Sequence, residues 1–417
     1  MTTMQTKPVE APSEIAFDPS DEAFRRNPYP RYAELREQAT LPRSKDGLWV
    51  LTRHEDVLAA VRDPQLSSHP RHSPDGRGRR AGSDEDAPQI PLIGDGTIEI
   101  MLLADAPDHT RLRRLANKAF TPRAVEALRP RIVELVEGML DAAQERGSFD
   151  VMPDLAEPLP VMVICDLLGV PVEDQAQFKP WSEAIGRMLD PDVPAEQLQQ
   201  AIPAVMGFVQ YFSSLIEERR SSPGEDLLSA LIAAESEGEK LTQGELFAMI
   251  ILLFIAGHET TTNLIGNGTL ALLRNPAEFA ALGADPGLAV PGTEELLRYD
   301  GPVQVTARTA TCDLVLNGLS LSKGESVICG IAAAGRDPRH IDDPETLRLS
   351  RGAPTHLAFS NGMHYCLGAP LARLEGQIAF SAMARRFPGM TLVDDAPPYR
   401  DHFVLRGLAS LPVSLTP

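Results

Sequence analysis

The sequence predicts a mainly α-helical chain with small β-sheets, folded as one large unit. Three observations predict it. From Asp105 to about Ala280, apolar residues recur three and four apart, the spacing of buried helix faces. From Val303 to Ile331 the pattern changes to alternation rich in Val, Thr and Ile, with turns at Asn317-Gly318 and Lys323-Gly324. No linker cleanly divides the 417 residues, and there is no internal repeat.

In chain order, residues 1–20 read as a flexible tail, and 21–417 as the folded unit. LWVLT, Leu48 to Thr52, reads as a strand, followed by a short helix in HEDVLAAVRD. Residues 67–96 are rich in Pro, Gly, Ser and charge and read as a long mobile loop, the length of a functional lid. TPRAVEALRPRIVELVEGMLDAAQ and AVMGFVQYFSSLIEERR are amphipathic helices, and GTEELLRYD carries a further one. A last helix begins near Gly368 with Pro370 in its first turn. The end of the chain, FVLRGLASLPVSL, again looks strand-like.

Composition narrows the class. A hydrophobic fraction of 43% and a charged fraction of 23% are those of a soluble protein. The net charge of −19 argues against a nucleic-acid or anionic-membrane partner. The four cysteines are widely spaced, with no CxxC pair, which fits a reducing cytoplasm. The N-terminus lacks the apolar region of a signal peptide. The apolar run FAMIILLFIAG is too short to span a bilayer and leads straight into His258 and Glu259.

Two stretches carry the chemistry. In FSNGMHYCLG, Phe359 to Gly368, Cys366 stands just before a helix start. The helix dipole and free N–H groups there favour a thiolate, the form a metal ligand or nucleophile must take. Gly362 and Gly368 leave room beside the sulfur for a flat group. The residues alone favour a structural cysteine in a turn. In LTQGELFAMIILLFIAGHETTTNLIGNGTLALLRNP, Thr242 and Glu245 form a capping box and Asn275-Pro276 ends the helix. Such a helix runs about 48 Å, enough to cross a domain. Its centre, AGHETT, places Glu259 and Thr260 in an apolar setting, which is costly unless they are used or satisfied. Gly257 weakens the helix there, and the Thr260 hydroxyl can bond back to the Ala256 carbonyl, so a local opening is expected.

FSNGMHYCLG fits F-x-x-G-x-H-x-C-x-G at every fixed position, and AGHETT fits A/G-G-x-D/E-T-T/S. In these motifs the chain resembles the cytochrome P450 family of the soluble bacterial type, over most of its length from about Asp105. Ser360 stands where the family often has Gly. The resemblance implies a P450-type fold, with the long helix crossing over haem and the haem lying between it and the Cys-bearing loop. It implies that Cys366 is the axial thiolate ligand of haem b (iron protoporphyrin IX). Phe359 would pack beside the sulfur, and Ala256, Gly257 and Gly368 would border the ring. Glu259 and Thr260 would manage dioxygen-derived ligands and protons. His109, Arg113, Arg308, His356 and His364 would hold the propionates, since carboxylates pair with such groups. Glu295, Arg298 and Arg351 would form the family's buried structural trio, with Leu347 where Phe is common.

The implied activity is a haem-thiolate monooxygenase inserting one atom of O2 into a hydrophobic small molecule by hydroxylation or epoxidation. The chain shows no dinucleotide fingerprint or iron–sulfur cysteine cluster. A ferredoxin and an NAD(P)H-dependent ferredoxin reductase would therefore supply electrons. Arg111, Arg114, Lys118, Arg123 and Arg373 are the expected basic docking face. The substrate pocket is expected from residues 67–100, the helices around 170–215, Ile255, Ala256, Val303 to Thr306, Phe403 and Val404. A peroxide-driven peroxygenase and a non-catalytic haem-binding protein are the alternatives. Intact Glu259 and Thr260 weigh against the former.

Overall fold

A computed structural model describes residues 17–72, 100–234 and 239–415, apart from 20, 46, 179, 182–183, 185–194 and 353. The bulk of the expected lid, residues 73–99, lies outside the described residues. So does the expected tail up to residue 16. Phe17, placed in that tail by the sequence, is instead core. It is 1% exposed, bridges to Ser44 and packs its ring edge-on against Phe24 and Phe403. An aromatic side chain buries too much apolar surface to be left in a tail when two other rings can receive it.

The strand expected at LWVLT is β1, Trp49–Leu51, and helix α1 follows at His54–Arg62. The expected lid begins with a two-residue strand, β2, Leu66–Ser67. It pairs antiparallel with β3, Val305–Ala310, which pairs antiparallel with β4, Ser326–Gly330. β1 lies parallel to β4 on the far side, giving the order β1-β4-β3-β2. The adjacent hairpin turns at Asn317 and Gly318, both at positive φ (46° and 87°), as a two-residue turn demands. Of the strand-like C-terminal stretch only Pro412–Ser414 is a strand, pairing with Phe149–Asp150 and Thr391–Leu392.

The helical part surrounds α3, Gln243–Leu273, a 31-residue helix whose capping box is formed as expected. By length and composition it could cross a membrane, but most of it is buried inside the protein. It packs against Pro158–Leu168 on one side. On the other it meets α4, Ala289–Asp300, and α5, Ala369–Arg386. Small residues permit these approaches. A Cβ at Gly268 would come within 2.4 Å of the Phe380 ring. Helix α2, Asp108–Ala119, runs beside the start of α3 and is tied to it by an Arg111–Glu245 ion pair.

Buried charge is answered within the fold. Arg298 gives Nε and Nη2 to the two oxygens of Glu295 at 2.7 and 2.8 Å, and both side chains are fully buried. Arg351 donates to the same Glu295 at 3.0 Å, so the expected trio forms. Arg298 and Arg351 spend their remaining donors on carbonyls between Gly335 and Thr346. A second assembly sets Asp300 between the Tyr29 hydroxyl (2.7 Å) and Arg406 Nε (3.0 Å).

Candidate haem site

The Cys366 loop is a closed turn. The Cys366 N–H donates to the Phe359 carbonyl at 3.0 Å, and Ser360 N–H to Leu357 O at 2.7 Å. Gly362 sits at φ +67°, and a Cβ there would press on the Val61 carbonyl at 3.0 Å. Gly362 is thus needed for the turn and its contact with α1, not for space beside the sulfur. Gly368 does leave that space: a Cβ would meet only Cys366 Sγ, at 4.0 Å. Ser360 also has positive φ, +58°, a conformation that favours glycine, and its buried hydroxyl has no partner.

α5 begins at Ala369, so Cys366 does precede a helix start. Burial nevertheless pushes the thiol above its ordinary pKa. The Gly368 and Ala369 N–H groups and the Arg113 and Arg373 guanidiniums pull it down without prevailing. The expected lowering by the helix end is therefore outweighed in the protein alone. A cation at the sulfur would be needed to make the thiolate the resting form.

Four of the five expected propionate partners converge. The His109 and His364 rings lie 4.4 Å apart. Arg113 Nη1 donates to the Tyr365 carbonyl at 2.6 Å. Arg308, on β3, is buried and donates only to the Thr306 hydroxyl and the Ala307 carbonyl. Among the described residues none of these four forms an ion pair, and His109 Nδ1 is buried without a partner. Burial, then Arg308 and His109, brings His364 down to about 4. Burial, then Arg113, lowers His109, with Asp105 opposing in both. At neutral pH both imidazoles are uncharged and offer N–H donors, while Arg113 and Arg308 bring the positive charge.

The fifth, His356, departs from expectation. Its Nδ1 accepts the Ala358 N–H at 3.2 Å and its Nε2 faces Glu294 at 3.1 Å, so both nitrogens are engaged. Glu294 also holds Arg373 through two bonds of 2.6 and 2.9 Å. Burial alone would raise this carboxyl, but the His356 and Arg373 bonds overrule it and bring it to about 2. Arg373 lies over the Phe359 ring, 4.4 Å from its centre. Arg373 is thus a brace under Phe359 rather than a free docking cation. Arg111 and Arg114 are likewise paired, with Glu245 and Glu239. Lys118 and Arg123, the latter exposed, complete the expected docking face.

Along α3 the polar centre stays helical. The expected local opening does not occur, because the Thr260 hydroxyl donates to the Ala256 carbonyl at 2.6 Å without displacing the helix. Ala256 is exposed in mid-helix between buried Ile255 and half-buried Gly257. Gly257 faces the protein, where a Cβ would meet Ile164 Cδ1 at 2.6 Å. Glu259 and Thr260 are half-buried. Asp105, Arg62 and Asn361 were not singled out by sequence. Asp105 accepts from the Ser67 hydroxyl at 2.6 Å near the cation cluster, and Arg62 donates to Asn361 in the Cys loop at 2.7 Å. The only sequence signal for Asp105 is its position just ahead of α2 in DAPDHTRLRR.

These residues fit haem. One sulfur stands in a loop with open space beside it, and a buried and a half-buried guanidinium with two imidazole donors form no ion pair among the described residues. A macrocycle with an iron and two propionates answers both needs.

Comparison with known proteins agrees. The Cytochrome P450 family model matches residues 86–284 and 293–415. The vitamin D(3) 25-hydroxylase of Pseudonocardia autotrophica is 42% identical, covering 94% of this chain and 95% of its own. The polyketide biosynthesis cytochrome P450 PksS of Bacillus subtilis is 39% identical over 96% of this chain and 99% of its own. Among solved structures, P450BioI in complex with hexadec-9Z-enoic acid ligated acyl carrier protein superposes with a TM-score of 0.85. It is 35% identical and covers 95% of this chain and 99% of that one.

Proposed function

The chain belongs to the cytochrome P450 family and is a haem-thiolate monooxygenase; from that premise we propose that it oxygenates a hydrophobic small molecule, using electrons from a separate ferredoxin. The observation that carries the proposal is the convergence of Arg113, Arg308, His109 and His364 beside the Cys366 loop, with Asp105 nearby but no ion pair formed among the described residues. Bound there, haem b would supply a thiolate-ligated iron that activates dioxygen. Cys366 would bind the iron. Arg113 and Arg308 would pair the propionates, aided by N–H groups of His109 and His364. Thr260 holds a hydroxyl proton at Oγ1, and Glu259 a carboxylate beside it on the helix, the two groups proposed to pass the two protons that the reaction consumes. Exposed Ala256 would face substrate.

Vitamin D(3), a polyketide pathway and a fatty acyl chain appear in the names of the relatives, and all are lipophilic chemistries. They support a hydrophobic substrate of medium to large size. The apolar run around Ile255 supports it from within. With Arg111, Arg114 and Arg373 tied to acids, the docking face for an acidic ferredoxin is proposed to centre on exposed Arg123. The protein is proposed to work in the cytoplasm, with a reductase fed by NAD(P)H.

The test is the reduced CO spectrum. A red-shifted thiolate band, together with substrate-dependent NAD(P)H use and an oxygenated product, is the expected result. Turnover with hydrogen peroxide but not with O2 and reductase would instead identify a peroxygenase. Charge reversal at Arg123 should slow electron transfer and leave substrate binding unchanged. Equal reduction rates would remove this docking face.

A further inference from the structure

Two imidazoles outside the haem site lie face to face. His54, the first residue of α1, and His340 have ring centres 3.4 Å apart and planes within 7°. His54 is buried, its Nε2 has no partner, and its backbone N–H donates to Asp337 at 2.9 Å. His340 is exposed, with Nε2 2.9 Å from the Thr355 carbonyl. A carbonyl only accepts, so Nε2 carries the proton.

Both partners reach the Cys366 loop. Thr355 heads the segment that runs into Phe359. The other arm is α1 itself. At its far end Arg62 Nε donates to Asn361 Oδ1 at 2.7 Å, and the Val61 carbonyl lies against Gly362. The stack therefore stands where the two supports of the loop meet.

The surroundings tolerate His54 only when neutral. Asp337 is the nearest acid, and it is already shared with Arg36 at 3.9 Å and Arg339 at 3.7 Å. Arg339 is held by Glu37, Asp56 accepts from Asn317, and His364 lies in the turn at the far end of α1. A proton on His54 would add a buried cation against the His340 ring and in the field of Arg62.

We propose that His54 and His340 are positioning residues for Cys366: their stack braces the loop from both sides, and protonation of His54 parts the rings and frees the loop. The inference rests on Cys366 being the iron ligand. Burial first, then His340, brings His54 down to about 4 from an ordinary 6.5. A depressed histidine gives stability that is complete above about 6.5 and is lost as pH falls toward 4. Acid release of the sulfur is expected in that window.

The experiment follows the thiolate CO band of the holoenzyme from pH 7.5 to 4. His364 and His109 titrate nearby, so variants isolate the stack. His54→Phe keeps a flat ring that takes up no proton. His340→Gln keeps a planar amide and a donor for Thr355. His54→Phe should move the acid midpoint downward, leaving roughly tenfold less sulfur-detached enzyme at pH 5, whereas His340→Gln, which removes one ring of the brace and a neighbour that depresses His54, should move it upward. Unchanged midpoints in both variants, with the band intact at pH 7.5, would overturn the brace. A wild-type enzyme without the band at pH 7.5 would instead remove the haem-thiolate premise.

Discussion

Two groups of cations, each with one arginine buried and one half-buried, lie within one fold and are treated in opposite ways. Arg298 and Arg351 close on Glu295, and every donor finds an acceptor in the chain. Arg113 and Arg308 have carbonyls and a hydroxyl but, among the described residues, no carboxylate within ion-pair distance. Scarcity of acid is not the reason, since the chain has 58 acidic residues against 39 basic ones. Charge that holds the fold is neutralised by the chain. The charge of Arg113 and Arg308 is left as the proposed haem propionates would need it.

The largest effect should come from the sulfur beside Arg113. Cys366→Ser should abolish the thiolate CO band and turnover, and a band that survives would break the comparison outright. Next, Glu295→Ala strands two buried guanidiniums. Urea denaturation should show a loss of about 3–5 kcal/mol with or without haem. Arg308→Ala should behave in the opposite way. The haem-free protein should change by less than about 1 kcal/mol, while haem transfer to a scavenger should speed up by roughly tenfold or more, the worth of a charge-assisted hydrogen bond. Equal destabilisation of haem-free protein by both substitutions would erase the distinction.

Glu294 sharpens the same contrast through pH. Its carboxyl is held at about 2 against an ordinary 4.5, so its contribution is complete above 4.5 and lost as pH falls to 2. Glu294→Gln should flatten the stability profile in that range, removing up to about 3 kcal/mol at pH 6. The smallest effect is at Ser360. Ser360→Gly relieves the left-handed backbone and an unpartnered buried hydroxyl, offset by glycine's greater unfolded freedom. A net gain of about 1 kcal/mol is expected. Thermal unfolding checks it, and a loss would show that the hydroxyl is in use.

What the sequence made legible was local. The Cys366 loop, the capping box at Thr242 and Glu245 and the Asn317-Gly318 hairpin each lie within a few neighbouring residues, where spacing alone specifies geometry. Partnership across the chain was not legible. Arg111 and Glu245 are 134 residues apart, Arg373 and Glu294 79, and residue type does not disclose that such cations are already taken. His356 was misplaced for this reason. It carries the right side chain near the right loop, but a carboxylate 62 residues earlier claims it. The thiol pKa was misjudged because the helix start is visible in sequence and the depth of burial is not.

Glu294 and Glu295 are consecutive, yet one braces Phe359 through Arg373 and the other closes the Arg298–Arg351 knot. A helix turns about 100° per residue. A single insertion or deletion in the first turns of α4 would therefore carry both carboxylates off their partners together. The register of that helix is thus held from two sides at once.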